Sequence, residues 1–371
     1  HVTGYEHAVA EARADCPDIE TTAEKCGLDT HKSADELGSG LGKLETFFNW
    51  FAAFERTVTV FSQGVNQSSS GSDKVNSILN CHLATGRVGK PGSSPFSVTG
   101  QPNAMGGREV GGLANQLAAH MSPKDPIDVD RVRRFWKSDV LEQGEGYKAV
   151  DMFRAIERGE IKAVWIMATN PAVSLPDADR VRLALSRCPL VIVSDVVNDT
   201  DTLRHADIKL PAAGWAEKSG TVTNSERRIS RQRPFREALG NAKPDWWIMS
   251  EVAKAMGYAK AFKYKDPSDI FTEHAALSEF ENDGTRAFDI GAWHKARKSA
   301  YDSMAPFQWP ASRKSQPANG ATRLYGDGIF TTSSGRAKML GLTHSGPQSQ
   351  TSREYPLIAN SGRYRDRWHT M

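Results

Sequence analysis

The residues best placed to do chemistry in this chain are small, polar and clustered. Gly64 to Gly71 reads GVNQSSSG, and Gly100 to Gly112 reads GQPNAMGGREVGG. Sequence this dense in Gly, Asn, Gln and Ser exposes backbone amides, and glycine lets the backbone approach a ligand closely. The first stretch follows a β-branched run and opens a helical one. Its amides therefore sit at a helix N-terminus, which suits a phosphate or the edge of a pterin-like ring. It lacks the Lys-Ser/Thr of a P-loop and the spacing of GxGxxG, and by spacing alone a plain polar loop accounts for it equally well. In the second stretch Arg108 lies between Gly107 and Glu109. A guanidinium fork can bind a planar oxyanion through two parallel hydrogen bonds. The competing reading is a surface salt bridge with Glu109 or another acid.

Two further candidates end predicted strands. Asp195 closes LVIVS; its carboxylate can accept from a guanine edge or from ribose hydroxyls, or simply cap the next segment. Asn170, in Thr169-Asn170-Pro171, either shapes a turn or joins Asp195 at a nucleotide. The histidines, His82, His120, His205 and His369 among them, do not fall at metal-ligand spacing. His82 reads as a residue packed on its helix, and Cys81 beside it as buried and inert. The four cysteines, Cys16, Cys26, Cys81 and Cys188, form no CxxC, which argues against a zinc or iron–sulfur site built from them. No nucleophile elbow appears.

The elements that must position these residues follow from periodicity. Residues 1–30 suggest helices of mixed charge, His31 to Lys43 a mobile Gly/Ser-rich loop, and Leu44 to Phe54 a buried helix. TVTVF at 57–61 is β-branched and continuous, as in a buried parallel strand. Val75, Ile78, Leu79 and Leu83 mark one face of a helix over Asp73 to Thr85, which Gly86 ends. A second α/β pattern is cleaner: a helix over Tyr147–Glu157, a strand at 163–168, a loop TNPAVSLPD, a helix at 178–187, and strands at 190–194 and 206–210. This alternation predicts a parallel sheet covered on both faces, with ligands bound beyond the strands' carboxyl ends. Trp215 to Phe235 turns polar and strand-like, and residues 305–335, rich in Pro and Gly, read as a link to another domain.

With 371 residues the chain has room for more than one core, and its formal charge of +3 lacks the dominant basic excess of a nucleic-acid binder. No apolar run reaches membrane-spanning length. Scattered cysteines and the lack of a leader fit a cytoplasmic protein.

Taken together, these segments resemble the molybdopterin oxidoreductase superfamily, and within it the bacterial assimilatory nitrate reductases. VFSQGVNQSSSGSDKVNSILNCHLATGRVGKPG is similar to that group's cofactor loop and following helix. TGQPNAMGGREVGGLANQLAAHM is the most specific signature. AVWIMATNPAVSLPD and VIVSDVVNDTDTLRHADIKLPAAGWAEKSGTVTNSERRISRQRPF resemble the part that grips a guanosine. YDSMAPFQWP and GIFTTSSGRAKM resemble the bridge to the last domain, and NSGRYRDRWHTM that domain's first strand and pterin loop.

The resemblance implies an α/β fold of parallel-sheet nucleotide-binding domains with the start of a β-rich C-terminal domain. Residues 1–98 would be the end of one cofactor-binding domain, 99–304 a second domain holding a guanine dinucleotide, and 305–371 a linker and the beginning of the C-terminal pterin-binding domain. It implies reduction of nitrate to nitrite at a bis-(molybdopterin guanine dinucleotide) molybdenum centre. Electrons would arrive through a [4Fe–4S] cluster from a flavoprotein or ferredoxin partner, with neither nucleic acid nor membrane involved. By the same resemblance Gly64, Asn66 and Gln67 would line one pterin, with Gln63 near the metal where relatives often carry Met. Gly100 and Gln101 would lie beside the metal, and Asn170, Asp195 and Thr202 would hold a guanosine. Arg108 would position nitrate, and Gly362, Arg363 and His369, in the last domain's first strand and pterin loop, would bind the cofactor. The family's cysteine cluster and its molybdenum-ligating cysteine are expected outside these residues, so the chain alone is not expected to turn over nitrate. Alternatives are formate oxidation, periplasmic nitrate respiration, or a truncated module without catalysis.

Overall fold

A computed structural model describes residues 1–28, 40–98, 100–313 and 323–359. They fall into two compact units, 1–101 with 323–359, and 102–313. In the first, β1 (Val2–Thr3) precedes α1 (Tyr5–Asp15) and α2 (Ile19–Lys25). β1 pairs in parallel with Ala337–Lys338. Gly4 makes that pairing possible: its φ is +80°, and a Cβ there would lie 2.3 Å from the Met339 carbonyl oxygen. At the start of α2, Asp18 accepts from the Thr21 amide at 2.7 Å, satisfying one of the helix's unpaired first-turn donors.

α3 (Gly40–Ala53) begins earlier than expected, so residues 40–43 of the predicted loop are helical; the rest of that loop lies outside the described residues. Nor is α3 a buried helix: Phe47, Phe48 and Trp50 face outward, Trp50 with 63% of its surface exposed. Aromatic content signalled burial, but the ring that packs inward is Phe51, set edge-on to His82. β2 (Val58–Phe61) pairs in parallel with β3 (Ser94–Ser97). Between them run the single turn α4 (Gln63–Asn66) and α5 (Gly71–Ala84), a βαβ unit. β2 is parallel as expected but not buried on both faces, since Val58 and Val60 are exposed. α5 packs through His82, which is fully buried with Nε2 2.8 Å from the Thr59 hydroxyl. Cys81 points the other way and is exposed rather than buried; partial desolvation still pushes its thiol pKa up. Gly86, at φ +61°, follows the helix end. The buried Arg87 then donates to the carbonyls of Phe51 and Phe54 at the end of α3, where a cation favours the helix dipole. Residues 323–339 do not run out as a linker: Tyr325 stacks on Phe330, and the chain returns to β1.

The second unit opens with α6 (Ala104–Glu109) and α7 (Pro126–Trp136). Asp125 caps α7 by accepting from the Ile127 amide at 2.9 Å, and Pro126 occupies the first turn, where its missing N–H costs nothing. Then follow α8 (Ala149–Glu157), β4 (Ala163–Met167), α9 (Pro171–Ser174), α10 (Ala178–Arg187), β5 (Leu190–Asp195) and β6 (Ile208–Pro211). The strands form a parallel sheet in the order β4-β5-β6. Its core is one-sided: Val164, Ile166, Val191 and Val193 pack with Phe153 and Ile156 of α8 and Val181, Ala184 and Leu185 of α10. Each fully buried aliphatic side chain here contributes about 1.5–3 kcal/mol. The intervening residues Trp165 and Ile192 are half-buried, so the second face is only partly covered within the described residues.

Beyond the sheet, β7 (Gly220–Thr223) and β8 (Arg228–Gln232) form an antiparallel hairpin. α11 (Asp245–Ala253), α12 (Pro267–Glu279) and α13 (Lys298–Asp302) lead to β9 (Phe307–Gln308), which joins β8. Phe271, Trp293, Tyr301 and Phe307 pack ring against ring beneath it.

Candidate functional site

The loop after β2 is folded on its own backbone. The amides of Val65 and Asn66 both donate to the Ser62 carbonyl at 3.0 Å, and Gln67 donates to that of Gln63 at 2.9 Å. The Ser62 hydroxyl donates to the Val98 carbonyl, tying the loop to the residue after β3. Gly71 is forced by crowding, since a Cβ there would lie 2.1 Å from the Asn66 carbonyl oxygen. Gly64 is different: a Cβ on it would meet nothing within 4 Å, so its backbone borders open space. The Asn66 side-chain oxygen is buried without a hydrogen-bond partner. A buried, unpaired acceptor of this kind costs about 1–3 kcal/mol, so a donor supplied from outside the described protein would repay it. Gln63 is half-buried, Gly64 and Gln67 are exposed, and further along the chain Gly100 is half-buried and Gln101 exposed.

In the second unit, Asn170 and Asp195 stand at the carboxyl ends of adjacent parallel strands, as β4 and β5 pair through Met167 and Ser194. Thr202 joins them from a later turn. Its amide and hydroxyl both donate to Asn170 Oδ1, at 3.2 and 2.6 Å. The same hydroxyl accepts from the Ala172 amide at 3.2 Å, at the start of α9. Thr202 is fully buried, so it faces Asn170 rather than solvent. Asp195 uses one carboxylate oxygen on the amides of Val196 and Val197, at 2.6 and 3.4 Å. Its second oxygen makes no hydrogen bond among the described residues. The structure thus joins Asn170 to Thr202 and ends the neighbouring strand on Asp195.

Arg108 projects outward from α6, donating to the Ala104 carbonyl at 3.2 Å. No carboxylate lies within ion-pair distance of it among the described residues. The rival reading of an Arg108–Glu109 salt bridge does not hold, because Glu109 turns inward. Its carboxyl accepts from the Thr223 hydroxyl at 2.8 Å and from the Trp309 indole N–H at 2.6 Å. Burial outweighs those two hydrogen bonds and raises its pKa to about 7. Sequence reasoning missed Glu109 as a buried group. Adjacent residues on a helix diverge by about 100°, and that geometry alone forbids the pair. His120 and His274 were also missed as neighbours: both pack on Phe288, with ring centroids 5.4 and 5.2 Å away. Burial, then the charge of Arg108, lowers the pKa of His120, and burial takes His274 to about 4. Gly362, Arg363 and His369 lie outside the described residues. Among the described residues no three His, Cys, Asp or Glu side chains gather as a metal site, and no helix is long and apolar enough to cross a membrane.

This arrangement, polar loops beyond the ends of parallel strands, is matched over residues 22–255 by the family model for molybdopterin oxidoreductase. The chain belongs to the molybdopterin oxidoreductase family. It is 51% identical, over 354 residues, to a nitrate reductase of Klebsiella oxytoca, covering 95% of this chain and 39% of that one. It is 30% identical, over 340 residues, to the assimilatory nitrate reductase catalytic subunit of Bacillus subtilis, covering 91% of this chain and 46% of that one. The chain therefore spans less than half the length of these relatives. Among solved structures, acetylene hydratase from Pelobacter acetylenicus superposes with a TM-score of 0.51 at 14% identity, over 81% of this chain and 40% of that one. That likeness supports the fold, an α/β arrangement with parallel sheets.

Proposed function

We propose that this chain is the central, cofactor-cradling part of a cytoplasmic, molybdenum-dependent assimilatory nitrate reductase that takes nitrate to nitrite. The observation that carries the reading is the 51% identity to a nitrate reductase over 95% of the chain. The residues present fit a pterin group in one specific respect: the buried Asn66 oxygen lacks a donor and stands two residues from the open backbone at Gly64. Ring N–H groups of a pterin supply such a donor. Gln63, Gly64, Asn66 and Gln67 would hold one pterin, with Gly100 and Gln101 toward the metal. Asp195, with one carboxylate oxygen unspent, would accept from a guanine edge while Thr202 fixes the rotamer of Asn170 beside it. In this reading 1–98 and 99–304 are parts of two cofactor-binding domains, and 305–371 leads to a third.

The molybdenum centre, as a bis-(molybdopterin guanine dinucleotide), would supply two-electron oxygen-atom transfer, with electrons passed through a [4Fe–4S] cluster from a flavoprotein or ferredoxin. The protein's share is binding and orientation. Nitrate spreads its charge over three coplanar oxygens, which a planar guanidinium matches better than an ammonium does. Among the described residues Arg108 has no carboxylate within ion-pair distance, and beyond its bond to the Ala104 carbonyl it can turn its fork to such an anion. The test is nitrite production by the purified full-length protein with a reduced viologen dye, normalised to molybdenum. Arg108→Lys is expected to lower kcat/KM by roughly a hundredfold with molybdenum content near normal. Formate oxidation without nitrate reduction would overturn the assignment, and unchanged kinetics in the variant would remove Arg108 from the substrate.

A further inference from the structure

Helix α6 is short, and six residues do not hold an orientation by themselves. Its two ends are fastened to one residue of another element. At the N-terminal end, Asn103 accepts through Oδ1 from the Thr223 amide at 2.8 Å. At the C-terminal end, Glu109 accepts from the Thr223 hydroxyl at 2.8 Å. Thr223, the last residue of β7, is itself buried. The second carboxyl oxygen of Glu109 takes the indole N–H of Trp309 at 2.6 Å. Trp309 is anchored in turn: its amide donates to the Arg227 carbonyl at 3.1 Å, its carbonyl accepts from the Arg227 guanidinium, and that guanidinium stacks 5.3 Å from its ring. Within the helix, Gly106 leaves room for Asn103; a Cβ at that position would lie 2.1 Å from the Asn103 side-chain oxygen. The side chains at 103 and 109 are thus fixed by Thr223 and Trp309, while that of Arg108, between them in sequence, stays exposed.

We propose that Thr223, with Asn103, Glu109 and Trp309, forms a clamp that sets the orientation of α6 and so acts as the positioning group for Arg108 toward its anion. The inference rests on the nitrate-reductase reading for the identity of that anion, but not for the clamp itself. Arg108 would bind with less strain and less loss of side-chain freedom because the backbone beneath it is held at both ends. Loss of the Thr223 hydroxyl would leave the Asn103 bond in place and leave the Glu109 end held by the Trp309 indole alone.

The experiment compares wild type, Thr223→Val and Thr223→Ser in the full-length protein, with two readouts: hydrogen exchange of the peptide covering 104–112, and the nitrate KM and kcat per molybdenum. Thr223→Val keeps the side chain's shape without the hydroxyl. It is expected to speed exchange of that peptide and to raise KM roughly tenfold with a smaller change in kcat, while Thr223→Ser restores both. Faster exchange with unchanged KM would overturn the positioning role, and unchanged exchange would overturn the clamp. If the wild-type protein reduces no nitrate, the functional reading falls, and the exchange arm still decides the clamp. Should Thr223→Val prove insoluble, Trp309→Phe removes the other donor to Glu109 and is judged by the same two measurements.

Discussion

An asparagine follows a parallel strand in each of the two units, Asn66 at the end of the turn α4 and Asn170 just before α9, and their side chains are in opposite states. Asn170, beyond β4, has its carbonyl oxygen filled by the amide and hydroxyl of Thr202. Asn66, beyond β2, has a buried oxygen with no partner. The first is part of the fold's own hydrogen-bonding; the second finds no partner among the described residues. A polar loop therefore says little about ligands until its internal partners are known, and the two loops should respond differently to the same kind of substitution.

The largest effect expected belongs to neither asparagine but to the third buried polar group, Glu109, which is fully hydrogen-bonded yet carries a pKa raised to about 7. Its folded form binds a proton that the unfolded chain releases near pH 4.5. Stability is therefore greatest below that pH and falls as pH rises toward 7, by about 3 kcal/mol in total from this group. Urea melts of the full-length protein between pH 5 and 8 measure the decline, and Glu109→Gln should flatten it; identical profiles would show that Glu109 is not the source.

Next comes the satisfied asparagine. Thr202→Val leaves Asn170 Oδ1 with the Thr202 amide alone and deprives the Ala172 amide of its partner, a cost of about 1–3 kcal/mol. A Tm unchanged by this substitution would erase the contrast between the two loops. The smallest effect is at the unsatisfied one. Asn66→Ala deletes an acceptor that no internal donor serves, so the melting curve should move by less than about 1 kcal/mol in either direction. Molybdenum and pterin retained through purification should nevertheless drop. A large loss of stability with normal cofactor content would reverse the comparison.

What the sequence made legible follows the range of the signal. α10 begins and ends at Ala178 and Arg187 as periodicity predicts, and β5 ends on Asp195, because hydrophobic alternation is a local property. α9 went unseen inside TNPAVSLPD, since four residues headed by a proline carry no period. The exposure of Phe47, Phe48 and Trp50 was misread for another reason: composition reports hydrophobicity, not which neighbour covers it. At the candidate site, Arg108 was singled out from its Gly-rich surroundings, and Asn170 and Asp195 from their places at strand ends. Glu109, Thr223 and Trp309 were not, because residues up to 200 positions apart meet there through side-chain hydrogen bonds that leave no trace in local pattern.

The pairing of Val2–Thr3 with Ala337–Lys338 imposes an order in time. Val2 and Thr3 leave the ribosome well before their partner does, so this strand stays unpaired until residue 337 is made. All of 102–313 is synthesised in between, a delay on the order of ten to fifty seconds at ordinary rates of elongation. The second unit, whose sheet closes within residues 163–211, has everything it needs to fold during that wait. Of the two units, the one whose strand is made first is thus the one completed later, and the nascent polypeptide carries an open strand edge for the whole interval.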